Sequence, residues 1–183
     1  MYKVYAMIAD GTEEVECLGV ADVLRRAGVN TELVSVGGKT VTGSHGIVIT
    51  ADRTLDGTDL SVADMLFIPG GIPGTNVLAQ CDKLIAAIGA ALSDGKRVAA
   101  ICAAPALVLG ANGYLKGKKA VCFPGYEDKM LGAEVVRGAR VVTDGNIITA
   151  RGLGCALELG VELVRLIVGD KQADDIAAKI QMK

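Results

Sequence analysis

The 183-residue chain predicts a three-layer α/β sandwich: a mostly parallel sheet with helices on both faces and β-hairpins added to it. Three observations carry this. Short apolar runs of strand length alternate with stretches of helical periodicity. Several of those runs are apolar at successive positions, as strands buried on both faces must be. The length suits one α/β domain with a full core, spanning 1–183, and is too short for two typical ones.

The elements follow in order. Residues 3–8, Lys-Val-Tyr-Ala-Met-Ile, read as the first strand. A helix is expected over 13–27, with Thr12 as its N-cap and Glu13 and Glu14 in the first turn, where the helix dipole favours negative charge. Strands are expected at 31–36, 64–68, 97–101, 119–122 and 146–149, and helices at 82–94, 104–110, 154–168 and 171–180. Two stretches interrupt the alternation, 37–51 and 134–148. Each places a Gly-containing turn between short β-prone segments, and Asp144-Gly145 is a hairpin signal. No repeat, low-complexity tract or linker breaks the chain.

Composition excludes several function classes. The net charge of −2 is spread over interspersed acids and bases, so no basic face recommends a nucleic acid or an anionic membrane. No stretch reaches the roughly 20 uninterrupted apolar residues of a membrane span, and the first residues run directly into a strand, which predicts a cytosolic protein. The five cysteines, Cys17, Cys81, Cys102, Cys122 and Cys155, are odd in number and widely spaced, so neither a disulfide framework nor a zinc site fits. One histidine in the whole chain argues further against a metal centre.

Ligands of open α/β sheets bind beyond the carboxyl ends of the strands. There the chain carries Ala9-Asp10-Gly11-Thr12, then Pro69-Gly70-Gly71-Ile72-Pro73-Gly74, then Cys102, then Phe123-Pro124-Gly125. Cys102 lies where the 97–101 strand turns directly into a helical pattern opened by Pro105. A helix N-terminus stabilises an anion, so the thiol pKa is expected to fall from roughly 8.5 toward 4–7. The small neighbours Ala100, Ala103 and Ala104 suit a sharp strand-to-helix turn, although a cysteine here can also be a buried small hydrophobe. Glu16 falls on the stripe of Val20, Val23, Leu24 and Ala27 that should pack on the sheet. A carboxyl there is expected to be partly buried and raised in pKa, with the Cys102 thiol as its partner; alternatively its stem packs while its head reaches solvent. Gly70 and Gly71 let the backbone approach a ligand, and the N–H groups of Gly71 and Ala103 can form an oxyanion hole. The same glycines can be a simple turn, and the Lys-Ser/Thr of a P-loop is missing. Arg151, in Arg151-Gly-Leu-Gly154, offers positive charge to an anionic ligand or ties loops together. His45 lies in the first hairpin, as a cleft residue or an exposed turn histidine.

Glu-Glu-Val-Glu16, Pro69-Gly70-Gly71 and Ala100-Ile-Cys102-Ala-Ala-Pro105, in that order, resemble the ThiJ/PfpI superfamily. Within it they resemble most the branch of the Parkinson-disease-associated protein deglycase and its bacterial relatives. Arg25-Arg26-Ala-Gly28 and Arg151-Gly-Leu-Gly154 extend the likeness over nearly the whole chain. The resemblance implies a flavodoxin-like homodimer with a nucleophilic, oxidisable Cys102, a protonated Glu16 beside it, and Gly71 and Ala103 as backbone donors. It implies cofactor-independent glyoxalase or deglycase chemistry on a small dicarbonyl such as methylglyoxal or glyoxal, with a peroxide-responsive redox sensor or holdase chaperone as the alternative. Phe123 departs from the human-like branch, which has His-Pro where this chain has Phe123-Pro124, so no cysteine–histidine dyad is expected.

Overall fold

The computed structural model describes residues 2–182. In chain order the elements are β1 (Lys3–Ile8), α1 (Glu14–Arg26), β2 (Asn30–Ser35), β3 (Thr40–Thr42), β4 (Val48–Thr50), β5 (Arg53–Thr54), β6 (Met65–Ile68), α2 (Gly74–Ala79), α3 (Asp82–Ser93) and β7 (Arg97–Ile101). They continue with a π-helix (Pro105–Gly110), β8 (Lys119–Ala120), β9 (Glu134–Val135), β10 (Val141–Asp144), β11 (Ile147–Ala150), α4 (Ala156–Val168) and α5 (Asp170–Lys179).

Alternation along β1 builds two cores. Val4, Ala6 and Ile8 pack toward α1, α4 and α5, while Tyr5 and Met7 pack with α3 and the π-helix on the other face. The central sheet runs β10-β11-β7-β6-β1-β2-β5, parallel except for the β10–β11 hairpin. This is the flavodoxin-like sandwich the sequence predicts. Strand order reverses between β2-β1 and β6-β7, so a crevice opens beyond the carboxyl ends of β1, β6 and β7.

The helix carrying Glu16 is fixed at both ends and along its inner face. Its C-terminus closes in a Schellman motif: Gly28, at φ 78°, donates to the Arg25 carbonyl at 3.0 Å, and Val29 donates to the Leu24 carbonyl at 3.1 Å. Val20, Val23 and Leu24 are fully buried, each worth about 1.5–3 kcal/mol of transfer free energy. Gly160 of α4 lets the helices close: a Cβ there would stand 2.8 Å from the Val23 Cβ.

Four expectations need correcting. Thr12 does not cap α1; Glu13 does, accepting the Glu16 N–H at 2.7 Å, while the Thr12 hydroxyl takes the Ala9 N–H at 3.0 Å. The 37–51 hairpin forms, but β3 and β4 make a separate two-stranded sheet. Of the 119–122 strand only Lys119–Ala120 pairs, with β9 and outside the main sheet, because the Val121 N–H is taken by the Thr149 hydroxyl at 3.0 Å. The 104–110 helix is a π-helix of six residues beginning at Pro105.

Candidate active site

Cys102 follows β7 at φ 66°, a left-handed conformation that an L side chain adopts at a cost. Hydrogen bonds on both sides of the residue hold it there. Its N–H donates to the Ala150 carbonyl at 2.9 Å, and its carbonyl accepts the Phe123 N–H at 2.7 Å. The turn throws the thiol out of the sheet, half-buried, toward Glu16.

Glu16 is 1% exposed. Its Oε2 accepts the Gly70 N–H at 2.9 Å, and the Leu153 amide and the Cys102 side chain also act on the carboxyl. Gly70 must lack a side chain: a Cβ would stand 2.5 Å from Glu16 Oε2 and 2.6 Å from the Cys102 Cβ. The loops beyond β1 and β6 also meet backbone to backbone. Gly71 sits at φ 92°, where a Cβ would strike the Glu13 nitrogen, and a Cβ on Gly74 would strike the Thr12 nitrogen.

Both ionisable partners are raised. Desolvation pushes the Glu16 carboxyl up to about 7 against its hydrogen bonds from Cys102, Gly70 and Leu153. Burial first, then the charge and hydrogen bond of Glu16, push the Cys102 thiol up to about 12, while the Ala103 and Gly71 amides pull the other way. This corrects the expectation that the helix N-terminus lowers the Cys102 thiol pKa. The helix is too short and starts too late, and burial dominates. The carboxyl and thiol therefore titrate as a pair that gives up one proton near neutrality and keeps the second far above it.

Gly71, Ile72, Cys102, Ala103, Phe123 and Tyr126 line a cleft of about 180 Å³ over the thiol. Two of the sequence-derived residues lie elsewhere. Arg151 lines a neighbouring cavity of about 390 Å³ with Phe123, Arg140 and Leu153. His45 does not line the thiol cleft. Its main-chain N–H and Nδ1 bind Glu14 at 2.7 and 3.2 Å, because the hairpin docks on the first turn of α1. Glu13, Glu14 and His45 could together face a cation, but Glu13 Oε2 and both Glu14 oxygens already accept hydrogen bonds, so the cluster braces the hairpin. The contributions of Leu153, Ile72 and Tyr126 escape sequence reasoning; only the position of Leu153, two residues after Arg151, hinted at one of them.

Residues 2–166 match the model of the DJ-1/PfpI family. The chain belongs to that family. It is 38% identical over 182 residues to protein DJ-1 homolog B of Arabidopsis thaliana, an alignment covering 99% of this chain and 42% of the plant protein, so the chain spans about half the length of that relative. It is 33% identical over 150 residues to a deglycase of Pyrococcus horikoshii, covering 81% of this chain and 89% of the archaeal one. The solved structure of oxidized DJ-1 from Toxoplasma gondii superposes with a TM-score of 0.92 at 33% identity, covering 99% of this chain and 98% of the other. The family includes proteins named as deglycases, and among the described residues no helix is long and apolar enough to cross a membrane.

Proposed function

We propose that the protein is a cofactor-independent glyoxalase that hydrates methylglyoxal or glyoxal to the 2-hydroxy acid. The observation that carries this is the convergence of the Cys102 thiol and the Gly71 and Ala103 amides on one small cleft, with the buried Glu16 carboxyl against the thiol behind it. With the shared proton on Glu16, the thiolate adds to the aldehyde carbon, and the carbonyl electron pair moves onto oxygen. The two amides hold that oxyanion until the Glu16 proton reaches it. Glu16, now a carboxylate, removes the hydrogen of the former aldehyde carbon, leaving an enediolate with its charge on the neighbouring oxygen. Glu16 returns the proton to the adjacent carbon while the hydroxyl on the sulfur-bearing carbon passes its own to that neighbouring oxygen, which yields a 2-hydroxy thioester. Water cleaves the thioester, releasing the acid and restoring the thiol. Apparent deglycation follows from the same activity, since removing free dicarbonyl draws early reversible adducts apart.

The reading is tested by loss of methylglyoxal and appearance of lactate with purified protein, without glutathione or added metal. Multiple turnovers that vanish in Cys102→Ala support it; the same rate in Cys102→Ala overturns it. A second reading, a peroxide sensor, is favoured by the Ala103 and Gly71 amides and the Glu16 carboxyl that act on Sγ, which suit the oxygens of a sulfinate, and by the Toxoplasma relative having been solved oxidized. Stoichiometric peroxide uptake on Cys102 without methylglyoxal turnover selects it.

We further propose that the protein works in the cytosol as a homodimer. Val15 and Leu18 of α1, Ile47 and Val48 of the hairpin, and Leu153 and Leu157 near the start of α4 are all exposed apolar residues. The Ile47 N–H binds Glu14, and Leu157 reaches Gly19, so these residues gather around one end of α1.

A further inference from the structure

Phe123 stands between two cavities of opposite character. In the Cys102 cleft, the side-chain walls are Ile72, Phe123 and Tyr126, with no charged group. In the larger cavity beyond, Arg140 and Arg151 supply positive charge. The Phe123 ring is the shared wall. It lies against Gly152, where a Cβ would stand 3.2 Å from Cδ2, and meets Tyr126 edge-on with centroids 6.5 Å apart. The two arginines differ. Arg140 is committed, with Nε 2.7 and 2.8 Å from the two Glu158 oxygens and a terminal nitrogen 2.6 Å from the Gly154 carbonyl. The Arg151 guanidinium has no hydrogen-bond or ion-pair partner among the described residues.

We infer that Phe123 is a specificity-determining partition, which makes the substrate a 2-oxoaldehyde with a small apolar substituent and shuts out carboxylate-bearing ones from Arg151. The inference rests on the glyoxalase reading for its reaction but on the cleft alone for its selectivity. An apolar substituent against Ile72, Phe123 and Tyr126 gains about fourfold per methyl group removed from water. A carboxylate in the same place loses its hydration and meets no positively charged side chain. Beyond the ring, Arg151 offers the planar donor fork that suits a carboxylate, so removing the ring joins the cavities and reverses the discrimination.

Alkylation of Cys102 reads this selectivity whether or not the aldehyde is turned over. Bromoacetone and bromopyruvate both react by forming the S–C bond as the C–Br bond breaks, bromide leaving and the thiol proton passing to the Glu16 pair or to buffer. Rates at Cys102, located by peptide mass and normalised to N-acetylcysteine, are compared for wild type, Phe123→Leu, Phe123→Ala and Phe123→Ala with Arg151→Gln. Phe123 is 46% exposed, so these variants are expected to fold. Wild type is expected to favour bromoacetone by about tenfold over the free-thiol ratio, given the cost of burying an unpaired carboxylate. Phe123→Leu should keep most of that preference. Phe123→Ala should lose it through faster reaction with bromopyruvate, and the added Arg151→Gln should remove that gain. A wild-type ratio equal to that of the free thiol, a ratio unmoved by Phe123→Ala, or a bromopyruvate gain that survives Arg151→Gln overturns the inference. Selective alkylation in a protein that leaves methylglyoxal untouched overturns the glyoxalase reading and keeps the partition; turnover with an indifferent ratio does the reverse.

Discussion

Glu14 and Glu16 stand two residues apart in the first turn of α1, 2% and 1% exposed, and their carboxyls are driven in opposite directions. Burial raises Glu14, but the N–H groups of His45 and Ile47, its own amide and the His45 ring outweigh burial and hold it at about 2. Burial raises Glu16 as well. There the donors are fewer and one is a thiol that competes for the same proton, so desolvation prevails and the carboxyl reaches about 7. Desolvation is common to both; what holds one carboxyl ionised and lets the other keep its proton toward neutrality is the count and kind of donors around it. The hairpin supplies them to Glu14, and the crevice withholds them from Glu16.

The sharpest test of this contrast is Glu16→Gln, expected to cut methylglyoxal turnover by about 10²–10⁴-fold, the usual worth of a positioned acid–base group, while leaving the melting temperature unchanged or higher. An equal loss in a folded Glu14→Gln protein would erase the distinction. The pH dependence separates the two residues next. Glu16 holds its proton more tightly folded than unfolded, so its contribution to stability is full below about 4.5 and disappears as pH climbs through about 7. The difference between 4.5 and about 7 bounds that loss at about 3 kcal/mol. Glu14 behaves oppositely, its contribution full above about 4.5 and lost as pH falls toward about 2. Denaturant titrations at several pH values check both, and Glu16→Gln should flatten only the upper window. Alkylation of Cys102 should accelerate through the same upper window as the pair loses its first proton.

Glu14→Ala comes third, costing about 1–3 kcal/mol for each backbone N–H it orphans at His45 and Ile47, read by chemical denaturation. Smallest is Cys102→Gly. It relieves the φ of 66° and is expected to stabilise the inactive protein by about 1 kcal/mol relative to Cys102→Ala.

Much of this was legible in the sequence, for local reasons. Periodicity located β1, α1, β6, β7, α4 and α5 because their burial is set by neighbours in the chain. Cys102 with Ala103, and Gly70 with Gly71, could be singled out because strand ends of open sheets are where ligands go, and Glu16 because a carboxyl on an apolar stripe is conspicuous. What escaped came from elsewhere in the fold. Helix α2 was hidden behind Pro73 and Gly74, which read as turn. The strand beginning at Lys119 stopped early because a hydroxyl 28 residues away took its next donor. The thiol pKa was misjudged because a dipole argument sees the adjacent turn and not the walls that desolvate Sγ. Leu153 and Tyr126 reached the site through tertiary contacts that no spacing encodes.

The contact between residues 11–13 and 70–74 has a kinetic consequence. Main chain rests on main chain at Gly71 and Gly74, so the Glu16 turn and the amide donor of Gly71 pack directly on one another. On the glyoxalase reading, turnover in such a cleft is expected to wait on no closing motion. Its rate at saturating aldehyde is therefore expected to stay constant as solvent viscosity is raised with sucrose, with small-molecule diffusion felt only in kcat/KM.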